Sequence, residues 1–310
     1  MKPIIFILPY VILIGSLFPA CAQNKETKTN ISNMEQSELF QIKVGNATLF
    51  LLSEGNHAGN SSILIDATPQ MMQETIPFDT FSNATNVFLI KEDSKNILID
   101  AGYGTNLFNH LALLGILPSQ IDIILLTHLH GDHIGGLLKD NTIAFPNAQL
   151  YISQLEYDYW MSDESMMKNP ENRRGSFYNA RAVVKAYSKQ LHLFTPNDIE
   201  NRNPAHLIEN ITAIAAYGHT PGHTLYQINN HNEKLLIWGD LTHAMAIQMP
   251  YPQVAVTYDI NPQEAINSRI KVLQYVSQNK IPIAGMHIAY PAIGNIEQEN
   301  TGYRFITMHK

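Results

Sequence analysis

This chain predicts an α/β fold, two β-sheets packed together with helices outside, on three observations. Short apolar runs bounded by turn residues recur, helical stretches separate them, and the strand-then-helix series occurs twice along 310 residues. That length holds one large domain with its own core, or two small ones. With 45% apolar and 15% charged residues, the chain falls among globular proteins.

Residues 1–22 read as an export signal. Lys2 supplies the positive start, and the apolar run over 4–18 is too short and too proline-broken for a transmembrane helix. Two fates fit Pro19-Ala20-Cys21-Ala22. The small-x-small rule allows cleavage after Ala22, whereas Cys21 resembles the lipid-accepting cysteine of bacterial lipoproteins, although Phe18 and Pro19 depart from the usual lipobox. The lipoprotein reading is preferred. Either fate implies an exported protein: periplasmic, secreted or an outer-membrane lipoprotein, touching membrane only through Cys21. As the sole cysteine, Cys21 leaves the mature domain without an internal disulfide or a thiolate ligand. Residues 23–38 are a polar tether, and 39–310 form the functional domain.

Within that domain, runs at 40–44 and 48–52 flank Gly45-Asn46, a hairpin signal. Residues 54–86 lose any pattern and read as either an active-site cover or an ordered excursion between strands. A second hairpin joins 87–90 to 96–100, and a helix follows over about 107–114. The apolar run 121–126 reads as a buried strand, and 149–152 as another. A helical insertion covers about 154–189, with Tyr157, Tyr159, Trp160, Met166, Met167, Phe177 and Tyr178. That density of aromatics and methionines fits either a core or the wall of a pocket. Strands are expected at 212–217, 225–228 and 235–238, an amphipathic helix at 262–278, a last buried strand at 281–285, then a short tail.

The chemistry starts where the strand at 121–126 ends. His128, His130, Asp132 and His133 arrive within six residues, the spacing of a ligand cassette. Histidines at i and i+2 on extended chain point the same way, so one ion can take both. Gly131 lets the backbone turn, and Asp132 and His133 open a helix that can aim them at a second ion. Three later strand ends carry further candidates: His219 and His223 about the Pro221-Gly222 turn, Asp240 in Trp238-Gly239-Asp240, and His287 in Gly285-Met286-His287.

The series His128-x-His130-x-Asp132-His133, then His223, Asp240 and His287, resembles the metallo-β-lactamase superfamily from about residue 40 onward. The resemblance implies an αββα sandwich with two metals at one edge. It assigns His128, His130 and His223 to one ion and Asp132, His133 and His287 to the other, with Asp240 bridging; His219 would stand behind the ligands. Within the superfamily, the absence of a cysteine ligand separates the chain from some β-lactamases, and the bridging Asp240 from the cysteine-free ones. Glyoxalase II carries a C-terminal helical region for which the 23 residues after His287 leave no room. Nuclease members have a large inserted domain and basic surfaces. Residues 239–243, the Gln248-Met249-Pro250 turn and His287-x-x-Tyr290-Pro291 resemble secreted N-acyl homoserine lactonases and methyl parathion hydrolase. One departure is His243, where familiar lactonases carry a tyrosine.

Mixed imidazole and carboxylate ligands suit two zinc ions, and manganese, cobalt or iron also fit. Ions held ~3.5–4 Å apart can lower the pKa of a shared water towards ~7, supplying hydroxide for attack on a lactone carbonyl. Asp132 would pass the proton to the departing ring alkoxide. His243 would either donate a hydrogen bond to the developing negative charge, with a pH dependence near ~6.5 that a phenol lacks, or support Asp240 from behind. A formal charge of −7 argues against a nucleic-acid partner and favours a neutral or apolar small substrate. The leading expectation is quorum quenching by lactone hydrolysis, ahead of organophosphate or aryl-ester hydrolysis. A metal-binding surface lipoprotein without catalysis is the alternative of another class. Oligomeric state is left open.

Overall fold

The computed structural model of the protein describes residues 39–201 and 203–308. The export signal, Cys21 and the polar tether fall outside the described residues. Among those residues, no helix is long and apolar enough to cross a membrane.

Seven strands build the first sheet in chain order: β1 (Gln41–Val44), β2 (Ala47–Asn60), β3 (Thr80–Glu92), β4 (Lys95–Ile99), β5 (Ile123–Leu125), β6 (Gln149–Ser153) and β7 (Leu191–Phe194). The pairings from β1 to β4 are antiparallel and those from β4 to β7 parallel. Six more make the second sheet: β8 (Ile211–Ala215), β9 (Thr224–Asn230), β10 (Glu233–Ile237), β11 (Ile283–Ala284), β12 (Ile293–Glu299) and β13 (Gly302–Thr307). Among the described residues, only β10 and β11 run parallel there. The helices are α1 (Pro69–Thr75), α2 (Leu107–Leu113), α3 (Gly131–Ile134), α4 (Gln154–Met161), α5 (Asp163–Lys168), α6 (Arg174–Ala186), α7 (Met245–Gln248) and α8 (Pro262–Asn279).

The alternation in β3 shows why two layers of core form. Phe88 and Ile90 pack among Tyr226, Ile237 and Trp238 of the second sheet. Val87 and Leu89, on the opposite face, pack with Leu107 and Leu111 of α2 and Phe177 and Val184 of α6. A strand whose side chains alternate between two apolar environments is buried on both faces. Helix α8 closes the far side, sending Val272, Leu273 and Val276 into the same core as the second sheet. Pro262 stands in its first turn, and the Asn261 side chain accepts the Glu264 amide at its start. The αββα sandwich is therefore the fold. The helical insertion expected at about 154–189 is α4 to α6.

Two expectations need correcting. Much of the supposed irregular stretch is strand: β2 runs on to Asn60 and pairs with β3 through His57↔Asn83 to Asn60↔Thr80, after a register shift between Ser53 and Gly55. The extension is largely exposed beyond Glu54, so it carries no apolar alternation to read. Likewise, the chain after His287 is no mere tail. It forms the β12–β13 hairpin, whose solvent-facing end pairs Glu297 with Arg304 at 3.1 Å.

Candidate metal centre

The candidate residues collect where strands end. After β5 the chain stays extended to His130, and Gly131 opens the one-turn helix α3. The loops following β8, β10 and β11 bring in His219, Asp240 and His287. The two layers are tied together here: the Thr127 carbonyl accepts the Thr224 amide at 2.9 Å, and the Tyr226 hydroxyl donates to the Leu126 carbonyl at 2.6 Å.

Two groups of ligand atoms result, His128, His130, His219 and Asp240 in one and Asp132, His133, Asp240 and His287 in the other. In the first, Nε2 of His128 lies 2.9 Å from Nδ1 of His130, which lies 3.0 Å from Nε2 of His219. Asp240 Oδ2 is 3.2 Å from His219 Nε2 and 3.6 Å from His128 Nε2. In the second, His133 Nε2 stands 3.0 Å from Asp240 Oδ1 and 3.6 Å from Asp132 Oδ2. His287 Nε2 is 3.1 Å from Asp240 Oδ2 and 3.4 Å from Asp132 Oδ2. Asp240 belongs to both groups.

A cation fits each group. Three imidazole nitrogens converge at hydrogen-bonding distance in the first, where lone pairs repel unless a proton or metal lies between them. In the second, His133 Nε2 and Asp240 Oδ1 are buried and neither makes a hydrogen bond. The opposite ring nitrogens are held from behind. His133 Nδ1 faces Asp100 at 2.7 Å, His219 Nδ1 faces Asp259 at 2.9 Å, and His287 Nδ1 faces the Ala84 carbonyl at 2.8 Å. Asp100 also accepts the Thr127 amide and hydroxyl, so Thr127 Oγ1 is left to accept from His128 Nδ1 at 3.0 Å. Protons on the outer nitrogens leave the inner ones as ligands. From α8, the buried Arg269 donates to the Leu241, Pro252 and Val254 carbonyls, pinning the chain that follows Asp240.

His223 does not take the place expected of it. Its Nε2 accepts the Asp240 amide at 3.0 Å and its Nδ1 meets the Ala216 carbonyl at 3.0 Å, so both ring nitrogens are engaged. A Cβ at Gly239 would fall 2.5 Å from that Nε2, which ties the glycine to this contact. His219, expected behind the ligands, supplies the converging nitrogen instead.

Burial works against the Asp240 charge, but His133, His287 and His128 hold its carboxyl well below the ordinary range. Burial likewise lowers His219, yet hydrogen bonds and charge from Asp240 and Asp259 carry it up to about 9. Burial and the neighbouring His219 push His130 and His223 down to about 3.

His243 lies at the site, with Nε2 3.0 Å from Asp240 Oδ2 and its ring stacked on His287 at 4.7 Å. Burial lowers it to about 4, so the expected pH dependence near neutrality does not arise from this imidazole. A neutral ring has one N–H, and facing a carboxylate that proton belongs on Nε2. Nδ1, buried without a hydrogen bond, is then an acceptor.

A cleft of about 710 Å³ opens onto both groups, with Tyr103, Tyr159, Trp160, Phe177 and Tyr258 in its wall and His57 and Arg173 beside them. The aromatic insertion thus serves as core and pocket at once. Sequence reasoning did not single out Asp100, Asp259 or Glu156. Asp100 carried a weak signal as an acid ending an apolar strand, whereas Asp259 carried none.

The family model described as Metallo-beta-lactamase superfamily matches residues 82–279. The solved structure of the hydrolase AbOPH, of the beta lactamase superfamily, superposes with a TM-score of 0.80 at 27% identity, covering 88% of this chain and 98% of that one. AidC, a dizinc quorum-quenching lactonase solved with the product N-hexanoyl-L-homoserine, gives 0.76 at 27% identity over the same shares. The acyl-coenzyme A thioesterase MBLAC2 of Gallus gallus is 27% identical over 189 residues, 56% of this chain and 64% of that protein, so the match spans just under two thirds of that relative. Fold, paired ligand groups and relatives agree, and the chain belongs to the metallo-β-lactamase superfamily of hydrolases.

Proposed function

We propose that this protein opens the lactone ring of N-acyl homoserine lactones with two divalent ions, zinc foremost. The observation carrying this reading is a pair of ligand groups sharing Asp240 at the floor of an aromatic-walled cleft. Likeness to the AidC lactonase supports the substrate class. His128, His130, His219 and Asp240 would hold one ion; Asp132, His133 and His287, again with Asp240, the other. When bound, the ions supply an activated water at neutral pH and polarise the carbonyl.

The chain's own groups do the rest. Asp132 reaches the cleft with its side chain 21% exposed. Burial disfavours its charge, but His133 and His287 hold it ionised below the ordinary range. It is the group that carries a proton to the departing alkoxide. Tyr159, Trp160 and Phe177 offer an acyl chain an apolar wall, at roughly 25 cal/mol for each Å² removed from water. An exported form would meet such lactones outside the cytoplasm.

Hydrolysis of phosphotriesters or aryl esters is the second reading, favoured by His243 where familiar lactonases carry tyrosine. Zinc-loaded protein assayed side by side on a long-chain acyl homoserine lactone and a phosphotriester decides between them. We expect kcat/KM for the lactone to be higher by about tenfold or more; the reverse order overturns the lactonase reading.

Because its Nε2–H is committed to Asp240, His243 orients that carboxylate rather than donating to substrate. His243→Ala should therefore lower metal occupancy and turnover together, by about 10- to 100-fold. Elemental analysis and steady-state kinetics on the same samples check this. A variant with both ions and a hundredfold lower kcat would restore the direct donor role.

A further inference from the structure

We propose that Glu156 is a positioning residue, clamping the loops that carry His128, His130 and His219 onto helix α4, so that the helical insertion sets the geometry of the first metal position. The inference rests on the metal-centre reading above but not on the choice of substrate.

Glu156 is 1% exposed. Its Oε1 accepts the Leu129 amide at 2.9 Å and the Trp160 indole N–H at 2.6 Å. Its Oε2 accepts the Thr220 hydroxyl at 2.6 Å and the Gly222 amide at 3.0 Å. Leu129 sits between His128 and His130, and Thr220 follows His219, so one carboxylate spans both ligand loops. Around it the fit is close. Ser153, which caps α4 by accepting the Glu156 amide, donates its hydroxyl to the Gly222 carbonyl at 2.7 Å. A Cβ on Gly222 would lie 2.1 Å from the Glu156 nitrogen. Trp160, held by Glu156, stands edge-on to the His130 ring at 5.6 Å while also lining the cleft.

Four donors fill the acceptor capacity of an ionised carboxylate. Burial raises this carboxyl, and all four donors oppose the rise. Glutamine keeps the size but must turn its NH2 towards two donors, leaving one loop unclamped.

The test compares wild type with Glu156→Gln in the full protein, reading zinc affinity by chelator competition, the visible spectrum of the cobalt(II)-substituted protein, and Tm. We expect zinc affinity about 10- to 100-fold weaker at one position, with displaced cobalt bands. A lowered Tm with unshifted bands and affinity within about twofold would reduce Glu156 to a packing role and overturn the proposal. Should Glu156→Gln fail to fold, Thr220→Val removes one donor; displaced bands support the clamp, and unchanged bands overturn it. Wild-type protein that takes up neither zinc nor cobalt refutes the metal-centre reading itself, and the clamp with it. Normal uptake by wild type and both variants refutes only the clamp.

Discussion

Replacing Asp240 with alanine will lower turnover by on the order of a thousandfold or more and leave fewer than two ions per chain. Asp240 is the residue shared by both ligand groups: Oδ1 faces His133 of the second, while Oδ2 faces His128 and His219 of the first and also His287 of the second. Alanine would leave those imidazoles buried around a gap without their anion, so repulsion among them would rise as the ligands are lost. The surroundings keep the carboxylate in place when other groups change, because Arg269 pins the Leu241 carbonyl and His223 receives the Asp240 amide. Elemental analysis of purified wild type and Asp240→Ala, with lactone kinetics on the same preparations, measures both effects. One ion per fully active wild-type chain would sink the dinuclear mechanism.

The second large effect separates two histidines four residues apart. His219→Ala should remove one ion and several-hundredfold of turnover, on the order of losing a key polar group at a reacting centre. His223→Ala should keep two ions and lose only about tenfold, because it frees the Asp240 amide rather than a ligand position. Metal-free His219 has a folded value of about 9 against an ordinary 6.5, so near neutral pH it holds a proton that an incoming ion must expel. Zinc affinity should therefore climb with pH up to about 9, and calorimetry in buffers of different ionisation enthalpy should find that released proton missing in His219→Ala. The same raised value stabilises the metal-free fold fully below about pH 6.5, a contribution lost as pH rises through about 9. If His223→Ala rather than His219→Ala loses the ion, the geometric assignment is wrong.

Local pattern made part of this protein legible. His128, His130, Asp132 and His133 announce a metal centre because their spacing on a strand end and a helical turn already points them inward. Gly45-Asn46 marks the β1–β2 turn, with Gly45 at φ +58°, and the period of α8 can be counted. The strand ends bearing Asp240 and His287 supply two further members of the set.

What the sequence left undecided turns on partners distant in the chain. The end of β2 has a wet surface and no apolar alternation, so only pairing with β3 identifies it as strand. His219 and His223 share one tight turn and identical chemistry. The choice between them depends on which ring meets the Asp240 amide and which meets Asp259, contacts 17 and 40 residues away. Asp100 and Glu156 gain their meaning from Thr127, His133 and Leu129, which follow a neighbouring strand of their own sheet, and, for Glu156, from Thr220 of the other layer. Spacing along the chain determines which side chains can ligate together; tertiary structure decides which nitrogen is free to do so, because a hydrogen bond on one side of an imidazole assigns the proton there and leaves the lone pair on the other.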